Sequence, residues 1–508
     1  MKKHIFLLVV ALCTMHLNAK NYYVATDGND NNLGTIEAPF ATLNKAHSKV
    51  VAGDTVFFRG GTYQIQESQI MKDDGLYAHV FHMDKSGTAA KRICYFGYPG
   101  EQVVFNLSAV RPSGRRISVF WVDGSYLHFK NFEIVGTQVT ITGHTQSECI
   151  SARGGSNNIF ECLSMHDGMA IGYYQTKGSN NLVLNCDAYN NYDNYSEGTK
   201  GGNVDGFGGH VTSENDKGNL FKGCRAWWNS DDGFDFINCK AAFVIDSCWA
   251  FYNGYQPGTK NSAGDGTGFK AGGYGMSANP KVPTVIPMHE VHNSLAYYNK
   301  NKGFYSNHHL GGIVWINNTG FQNPSNYCML NRKSAEETVD VGGYGHIIKN
   351  NVSFTPRTTG AHMIDVNASL CEIENNSFAP TEISLTTKDF VSVASSQLTK
   401  ERNADGSLPD IGFLKAKSSS PLAAAGMGYA IEKAEETGIN AVETITPQDI
   451  IVGGIGCISI KPAASSTQIR LHDINGALIL SQSIDGAVCI EGLKPGFYIL
   501  NGKRVIVR

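Results

Sequence analysis

The sequence has little net charge, little proline and no long apolar run beyond its first residues. Its 508 residues include 42 basic and 45 acidic side chains, a net charge of −3. No global charge therefore attracts the chain to nucleic acid or to an anionic membrane. No later stretch is apolar enough to span a bilayer, so no membrane span is expected. With 15 prolines but 56 glycines, the composition is typical of many tight turns rather than of disorder.

The N-terminal residues have the features of an export signal. Lys2 and Lys3 precede the apolar run 5–12, and small residues follow at Asn18 and Ala19. These features predict a signal peptide over residues 1–19 and a soluble protein that is secreted or periplasmic. Twelve cysteines in an exported chain first suggest disulfides. Their spacing argues otherwise, although pairing of Cys149 or Cys239 with a neighbour stays open.

Two residue columns repeat with a period near 24, with occasional insertions. The first column is Cys162, Cys186, Cys224 and Cys248, continued by Ser294, Asn318 and Asn351. The second stands five residues further on and contains Asp167, Asn191, Asn229, Asn253, Asn299 and Asn323. Such a period is typical of a solenoid. We expect an internal ladder of small apolar side chains and a turn ladder of stacked amides.

The local pattern is that of short strands. Runs such as 182–184 and 313–316 are β-branched or aromatic and are bounded by Gly and Asn, and helical periodicity is nearly absent between residues 90 and 400. This predicts an all-β fold, a parallel β-helix in which equal positions of successive coils lie about 4.8 Å apart. One short helix is expected over residues 38–46, capping the open end, with the first coil beginning at Gly53.

The pattern changes past residue 400. Residues 404–421 read as a polar closing segment, and a short helix could lie within 422–440. Strands return from about residue 445, with an alternating run at 468–474 that slips at His472-Asp473 before the turn Asn475-Gly476. We therefore predict a β-helix domain over residues 20–435 and a small antiparallel β domain over 445–508.

Four aspartates and one lysine recur around a repeated Gly-Phe step. Aligned on that step, Asp205 and Asp232 share one row, Asp235 and Lys270 share another, and Asp231 stands beside them. Carboxylates so close repel one another unless a cation neutralises them. An all-oxygen ligand set favours Ca²⁺ over zinc. The alternative is a solvated acidic ridge that caps turns.

Lys270 should point outward beside Asp235, because the preceding Phe269 falls in the inward row of Phe207, Phe234 and Phe304. It could form a simple salt bridge. As a general base it would instead remove the C5 proton of a galacturonate whose carboxylate is bound to Ca²⁺, which leads to β-elimination. Both Ca²⁺ and desolvation would lower its pKa. Hydrolysis by the aspartates would leave Lys270 without a role.

Several side chains on the following coils could contact a polyanionic substrate. The cationic candidates are Lys302, His308, His309 and Arg332, and the candidates for stacking on sugar rings are Trp228, Tyr274 and Tyr305. Each is otherwise an ordinary surface or packing residue.

The chain resembles polysaccharide lyase family 9. The resemblance covers residues 22–430 and lies in the motifs 204–207, 230–236 and 268–273, together with the opening segments 22–28, 53–56 and 59–63. It implies a right-handed parallel β-helix and Ca²⁺-dependent lyase chemistry. Asp205, Asp231, Asp232 and Asp235 would hold the ion and Lys270 would be the base. Asp265 departs from members that carry Asn there.

Residues 445–508 look like a short C-terminal sorting-type domain of Bacteroidota, through the segments 471–476 and 493–498. Such a tail would associate the protein with the cell surface.

The leading hypothesis is a monomeric lyase that cleaves an acidic plant cell-wall polysaccharide, pectin. Family members act on homogalacturonan or on the rhamnogalacturonan I backbone, and the resemblance of the tail to glycan degraders slightly favours the second. Pectate lyase activity on homogalacturonan is one alternative. A noncatalytic solenoid that binds acidic glycans through Ca²⁺ is another.

Overall fold

The computed structural model describes residues 19–143, 146–196, 201–274, 282–432 and 450–507, the last range with short gaps at 454–456, 462–466, 474–477, 485, 495 and 502. The predicted signal peptide lies outside the described residues except for Ala19. The chain divides into two compact units, Met1–Glu432 and Lys433–Arg508. In the part of the chain that is described, no helix combines the length and apolarity needed to cross a membrane.

The first unit is a parallel β-helix built from two large sheets of twenty and eleven strands. From residue 182 onward, most coils place two strands in the larger sheet and one in the smaller sheet. The coil with Asn219–Lys222, Arg225–Trp227 and Phe234–Asp235 is an example. The first coil begins earlier than predicted, because Asn21–Val24 already pairs with Thr55–Phe58 in parallel.

The strands of the larger sheet are Asn21–Val24, Thr55–Phe58, Gly61–Gln64, Ile93–Gly97, Val103–Asn106, Leu127–Val135, Ile159–His166, Leu182–Leu184, Asp187–Tyr189, Asn219–Lys222, Arg225–Trp227, Phe243–Asp246, Trp249–Phe251, His289–His292, Leu295–Tyr297, Ile313–Ile316, Thr319–Phe321, Ile347–Lys349, Val352–Phe354 and Glu372–Glu374. Those of the smaller sheet are Lys72–Asp73, Tyr77–Met83, Arg116–Val122, Glu148–Ala152, Ile171–Gln175, Phe207–Gly209, Phe234–Asp235, Phe269–Lys270, Lys302–Tyr305, Ser325–Cys328 and Met363–Ile364. Asn331–Arg332 and Asp340–Val341 form a separate antiparallel pair.

The cysteine column is confirmed for Cys186, Cys224 and Cys248, which are buried in the main core. Cys162 does not belong to it. Strand pairing aligns Glu161 with Leu184, so Leu163 takes the place of the first cysteine. Cys162 is instead the corner residue, with φ 53°. The eleven cysteines in the described ranges, Cys149 and Cys239 included, are free thiols, so the disulfide alternative is wrong there.

The predicted amide ladder runs along one corner of the coils. Each asparagine side chain from Asn191 to Asn299 donates Nδ2–H to the Oδ1 of the next member of the column, at 3.0–3.2 Å. Asp167 is not a member, because Gly168 occupies that position and donates its backbone N–H to Asn191. The ladder satisfies buried amide groups that would otherwise destabilise the fold.

The N-terminal helix is Leu43–Lys49, so it begins later and ends later than the predicted range 38–46. Thr42 is its N-cap, and the Asp30 carboxylate accepts the backbone N–H groups of Ala41 and Thr42, which holds the preceding residues in an extended turn. The predicted apolar face is correct, since Phe40, Leu43, Ala46 and Val50 all lie in the main core. The other helical elements are the 3₁₀ turns Glu67–Gln69, Ala368–Leu370, Thr387–Asp389 and Ser395–Gln397, and the helix Pro421–Ala425.

The segment that closes the first unit covers an aromatic face of the larger sheet. Phe390, Phe413 and Leu422 belong to the same buried cluster as Trp227 and Phe251. A buried ion cluster fixes this segment as well. The Asp187 carboxylate accepts hydrogen bonds from both Arg225 and Arg402, at 2.6–3.1 Å.

The second unit contains the predicted antiparallel sheets. One sheet has the strands Ile450–Gly453, Cys457–Lys461 and Val488–Glu491, and the other has Thr467–Asp473, Leu478–Ile484, Gly496–Leu500 and Lys503–Val507. The register shifts between Leu471 and His472, one residue before the predicted slip at His472-Asp473. The Asn475-Gly476 turn lies outside the described residues.

Candidate active site

The repeated Gly-Phe steps stack in the smaller sheet. The rings of Phe207, Phe234, Phe269 and Phe304 follow one another inside the core with centroids 4.8–5.1 Å apart. Asp235 pairs with Lys270 in the same register. Lys270 therefore points to the outer face beside Asp235, as predicted.

The glycine of each step is required by the amide ladder. A Cβ on Gly206, Gly233 or Gly268 would lie 2.6–2.8 Å from an atom of an adjacent coil, either an alanine Cβ or a carbonyl oxygen. It would also lie 2.8–2.9 Å from the Nδ2 of an asparagine in the ladder. Only glycine lets the chain turn so close to the ladder and place an aspartate immediately before the strand.

The four predicted aspartates converge on this outer face together with a fifth. Asp205, Asp232 and Asp235 offer carboxylate oxygens within 4.8 Å of one another. Asp231, Asp232 and Asp265 form a second such group that shares Asp232. Asp265, where some members of the resembling family carry Asn, thus adds a carboxylate to the cluster. The sequence alone did not reveal this role. We call these five residues the acidic cradle.

Backbone N–H groups hold the cradle in place. The Asp232 carboxylate accepts a hydrogen bond from the Thr267 backbone N–H at 2.5 Å. The backbone N–H of Asp232 donates to the Asp205 carboxylate at 3.1 Å. Asp231 accepts from Asn203 at 2.7 Å and from Asp265 at 2.5 Å. The carboxylates of Asp205, Asp231 and Asp232 are therefore positioned by neighbouring coils.

The Lys270 ammonium lies directly against the cradle. Its Nζ is 3.0 Å from an oxygen of Asp232 and 3.0 Å from an oxygen of Asp235. Asp232 is fully buried, and the Lys270 side chain is only 12 % exposed. The sequence predicted that Lys270 lies beside Asp235. In the structure its amine contacts one aspartate from each of the two rows, Asp232 and Asp235.

Burial and the neighbouring carboxylates raise the pKa values of Asp205, Asp231 and Asp235. Burial, reinforced by the neighbouring aspartates, raises the pKa of Asp205 well above its ordinary value. Burial with Asp232 nearby raises the pKa of Asp231 to about 7, and burial raises that of Asp235 to about 6.

The pKa of Lys270 shifts opposite to the expectation from the sequence. Burial alone would lower the pKa of Lys270, but the surrounding carboxylates outweigh burial and raise it well above its ordinary value. The carboxylates therefore hold the amine in its protonated form. A lower pKa requires that another positive charge neutralise them.

The donor set fits a hard divalent cation. All five groups are carboxylates, and Asp235 Oδ1 is buried without a hydrogen-bond partner. Oxygen ligands of this kind suit Ca²⁺. Asp205, Asp231, Asp232 and Asp235 would hold such an ion, and Asp265 is within reach of two of them.

The predicted substrate contacts gather around Tyr305, which pairs with Lys270 on the next coil. The Lys302 Nζ lies 4.6 Å from the centre of the Tyr305 ring, and the ring of His308 is 6.2 Å from it. His308 and Arg332 both form ion pairs with Asp340. The strand that contains Lys302 and Tyr305 is thus the next one after the strand of Lys270.

Other predicted contacts face elsewhere. His309 is fully buried, and its Nδ1 accepts from Gly273 while its Nε2 donates to Pro287, so it does not face a substrate. The Tyr274 ring lies near His309 and is 7 % exposed. Trp228 is half-buried and stacks on Tyr252 at 4.6 Å.

Comparison with known proteins identifies the family of this chain. The family described as Pel9A-like, right-handed β-helix region, matches residues 22–351. The chain belongs to this family. The predicted membership of polysaccharide lyase family 9 and the right-handed parallel β-helix are thereby confirmed.

Three relatives span most of the chain. Pectate lyase L of Dickeya dadantii (strain 3937) is 33 % identical over 80 % of this chain and 85 % of its own length. A solved rhamnogalacturonan lyase is 52 % identical, with a TM-score of 0.78, and covers 81 % of this chain and all of its own. The crystal structure of pectate lyase Pel9A is 31 % identical, with a TM-score of 0.62, and covers 79 % of this chain and 90 % of its own.

Proposed function

We propose that this lyase cleaves the pectin backbone by Ca²⁺-dependent β-elimination, with Lys270 as the base. It is a polysaccharide lyase that acts on pectin, as its relatives support. The observation that carries the residue assignment is the position of Lys270 Nζ, 3.0 Å from two buried or half-buried carboxylates on the outer face of the sheet.

The amine is placed to take a proton from substrate. When a galacturonate carboxylate is bound at the cradle, Ca²⁺ supplies positive charge that stabilises the enolate-like species formed at C5. The charge of a bound cation would lower the pKa of Lys270 and leave its amine neutral. The neutral amine would then accept the C5 proton, the C5 electron pair would form the C4–C5 double bond, and the C4–O bond would break. The departing oxygen takes a proton from solvent. The Asp232 and Asp235 carboxylates orient the amine throughout.

Rhamnogalacturonan I is the proposed substrate. The 52 % identity to a rhamnogalacturonan lyase over 81 % of the chain supports it, against 31–33 % to the pectate lyases. Homogalacturonan is the second candidate, supported by those pectate lyases. Incubation with each polymer, with and without chelator, should give unsaturated ends from rhamnogalacturonan I at the higher rate. A faster reaction on polygalacturonate would assign the enzyme to the second substrate.

Substrate contacts and cellular location complete the proposal. Lys302, His308 and Arg332 would bind uronate groups on the coils that follow Lys270. Lys302 and His308 lie against Tyr305, the residue that pairs with Lys270, and Arg332 shares the Asp340 carboxylate with His308. We propose that the protein is an exported monomer and that residues 445–508 act as a sorting-type tail for display at the cell surface. Fractionation of cells that carry the chain with and without this tail tests the last point.

A further inference from the structure

A row of planar side chains continues the outer face of the smaller sheet on the N-terminal side of the cradle. Strand register places Trp121, Ser151, Tyr174, Gly208 and Asp235 in one line across five successive coils. Lys270 is the next residue in this line. The row therefore belongs to the same surface as the candidate base.

Trp121, Arg153 and Tyr174 stack along this row, and we call them the planar ladder. The Arg153 guanidinium lies over the ring of Trp121 at 5.2 Å and over that of Tyr174 at 5.8 Å. The fully buried Glu148 carboxylate forms an ion pair with the Arg153 guanidinium and fixes the orientation of that group. Arg153 also donates to the Tyr77 hydroxyl at 3.1 Å, while its Nε is buried without a partner.

Gly208 connects the ladder to the cradle. A Cβ at this position would lie 2.8 Å from the Tyr174 ring, so the glycine leaves room for that ring to lie over the chain next to Asp235. Any larger side chain would separate the ladder from the cradle. The surface is therefore continuous from Trp121 to Lys270.

The spacing of the ladder suits a polymer that lies along the helix axis. One coil advances about 4.8 Å, which is comparable to the length of one sugar. Tyr174 thus stands about 10 Å from the coil of Asp235, and Trp121 about 19 Å from it. A chain with one sugar bound at the cradle would reach the ladder two to four sugars away.

From this geometry we propose that the planar ladder is a distal binding subsite for the polysaccharide, with the exposed edges of Trp121 and Tyr174 contacting sugars and Arg153 binding a uronate carboxylate. The ring edges are the parts open to a sugar, because His79 stacks on Trp121 at 3.9 Å and Tyr174 is 7 % exposed. A guanidinium attracts a carboxylate through charge-assisted hydrogen bonds. The alternation of ring, cation and ring suits a backbone in which uronate alternates with a less polar deoxy sugar. The inference rests on the proposed function and extends it to substrate length.

The test compares a long polymer with the shortest oligosaccharide that the enzyme cleaves, both from its preferred backbone. Trp121→Ala and Tyr174→Ala should each lower kcat/KM on the polymer about threefold to tenfold. They should leave kcat/KM on the oligosaccharide unchanged, because it cannot reach the ladder. Phe57→Ala is the matched control, since Phe57 is a half-buried ring that stacks on Tyr23 at 5.6 Å on the other sheet. An equal fall on both substrates, or no fall on the polymer, overturns the proposal.

Arg153→Lys gives a second test, in which the variant keeps a long cationic side chain and so changes the side-chain volume less than the substitutions to Ala do. Arg59→Lys is its control, because Arg59 likewise lies over a tyrosine, at 4.7 Å, and pairs with a glutamate. In a Lys270→Ala background, calorimetric titration with polymer should show weaker binding for Arg153→Lys than for Arg59→Lys. Equal dissociation constants would overturn the role of Arg153, even where Trp121→Ala does not fold. If the unmodified enzyme forms no unsaturated ends from any pectin, the proposed function fails instead.

Discussion

At the scale of single residues, the site depends on one amine held by several carboxylates. Lys270 contacts Asp232 and Asp235 at equal distances, so its charge partly neutralises the repulsion among them. The same contact makes the ammonium a competitor of any cation that binds the cradle. Two measurements separate these roles.

Removal of the amine should abolish most of the activity. We expect Lys270→Ala to lower kcat by about a hundredfold to ten thousandfold, the usual contribution of a positioned base. Release of unsaturated ends, followed by ultraviolet absorbance, measures this. Lys302→Ala is the control, because it removes a lysine one coil away and should mainly raise KM. An unchanged product yield from Lys270→Ala would exclude this residue as the base.

The same variant should bind Ca²⁺ more tightly. Without the ammonium, the cradle keeps its full negative charge, and we expect the Ca²⁺ affinity of Lys270→Ala to rise about tenfold. Asp232→Asn should lower the affinity by at least about tenfold, since Asp232 belongs to both carboxylate groups. Calorimetric titration with Ca²⁺ alone tests both changes without any turnover. Equal affinities in all three proteins would contradict a cation site at the cradle.

The sequence predicted the core of this site because the solenoid converts equal motif positions into neighbours. Asp205, Asp232, Asp235 and Lys270 could be aligned on Gly-Phe, and the register placed them together. No such motif marks Trp121, Arg153 or Tyr174. Their coils differ in length, and the strands Arg116–Val122, Glu148–Ala152 and Ile171–Gln175 are buried almost throughout, so no alternation of buried and exposed residues identifies the outward ones.

At the scale of elements, the glycine steps and the amide ladder depend on each other. Gly233→Ala would place a Cβ 2.7 Å from the carbonyl oxygen of Gly268 and 2.9 Å from Asn253 Nδ2. We expect a loss of about 1–3 kcal/mol in the free energy of unfolding, together with lower Ca²⁺ affinity, because the Asp231-Asp232 turn must shift. Thermal unfolding and Ca²⁺ titration measure the two effects. Gly486→Ala, in the second unit and without a neighbour within 4 Å, should change neither.

Three buried histidines make the fold sensitive to acid. Burial lowers the pKa of His309 to about 4 and that of His346 to about 3, and it lowers the pKa of His289 further below its ordinary value. The unfolded chain binds these protons near pH 6.5, whereas the folded chain does not. Stability due to the neutral rings is therefore present above pH 6.5 and lost as the pH falls toward 4.

Within that window, each of these histidines should lower the free energy of unfolding by about 1.4 kcal/mol for each unit that the pH falls. His309→Gln keeps an acceptor for Gly273 and a donor for Pro287 but cannot bind a proton. The decrease in melting temperature between pH 7 and pH 5 should therefore be smaller in this variant than in the unmodified protein. An identical decrease would show that His309 is not one of the groups responsible.

The sequence could predict coil architecture but not every boundary. The 24-residue period identified the ladders, yet it placed Cys162 and Asp167 one residue away from the true column. At that coil, the strand Ile159–His166 runs through the corner, and the period to the next coil is 23 residues instead of 24, so both columns shift by one residue. The helix begins at Leu43 because the Thr42 hydroxyl accepts the Lys45 backbone N–H as an N-cap. Asp30, twelve residues earlier, binds the Thr42 hydroxyl and keeps the preceding residues outside the helix, a contact that the local pattern does not show.

At the scale of the whole molecule, the catalytic equipment lies within one unit. The cradle, Lys270 and the planar ladder all fall in Met1–Glu432. A chain that ends at Glu432 should therefore keep its kcat/KM on pectin and its melting temperature. Steady-state kinetics and calorimetry on both forms test this. A loss of activity in the shorter chain would show that the second unit takes part in catalysis.

The thiol column also has a consequence for how the chain would mature under the export proposed above. Cys186, Cys224 and Cys248 are remote from solvent once the coils close, but in the nascent polypeptide they are accessible and separated by short tethers. Coil closure must therefore outpace oxidation wherever the compartment favours disulfides. Refolding with a thiol reductant should recover more active enzyme than refolding in an oxidising glutathione buffer, and the fully folded protein should tolerate the same buffer without loss.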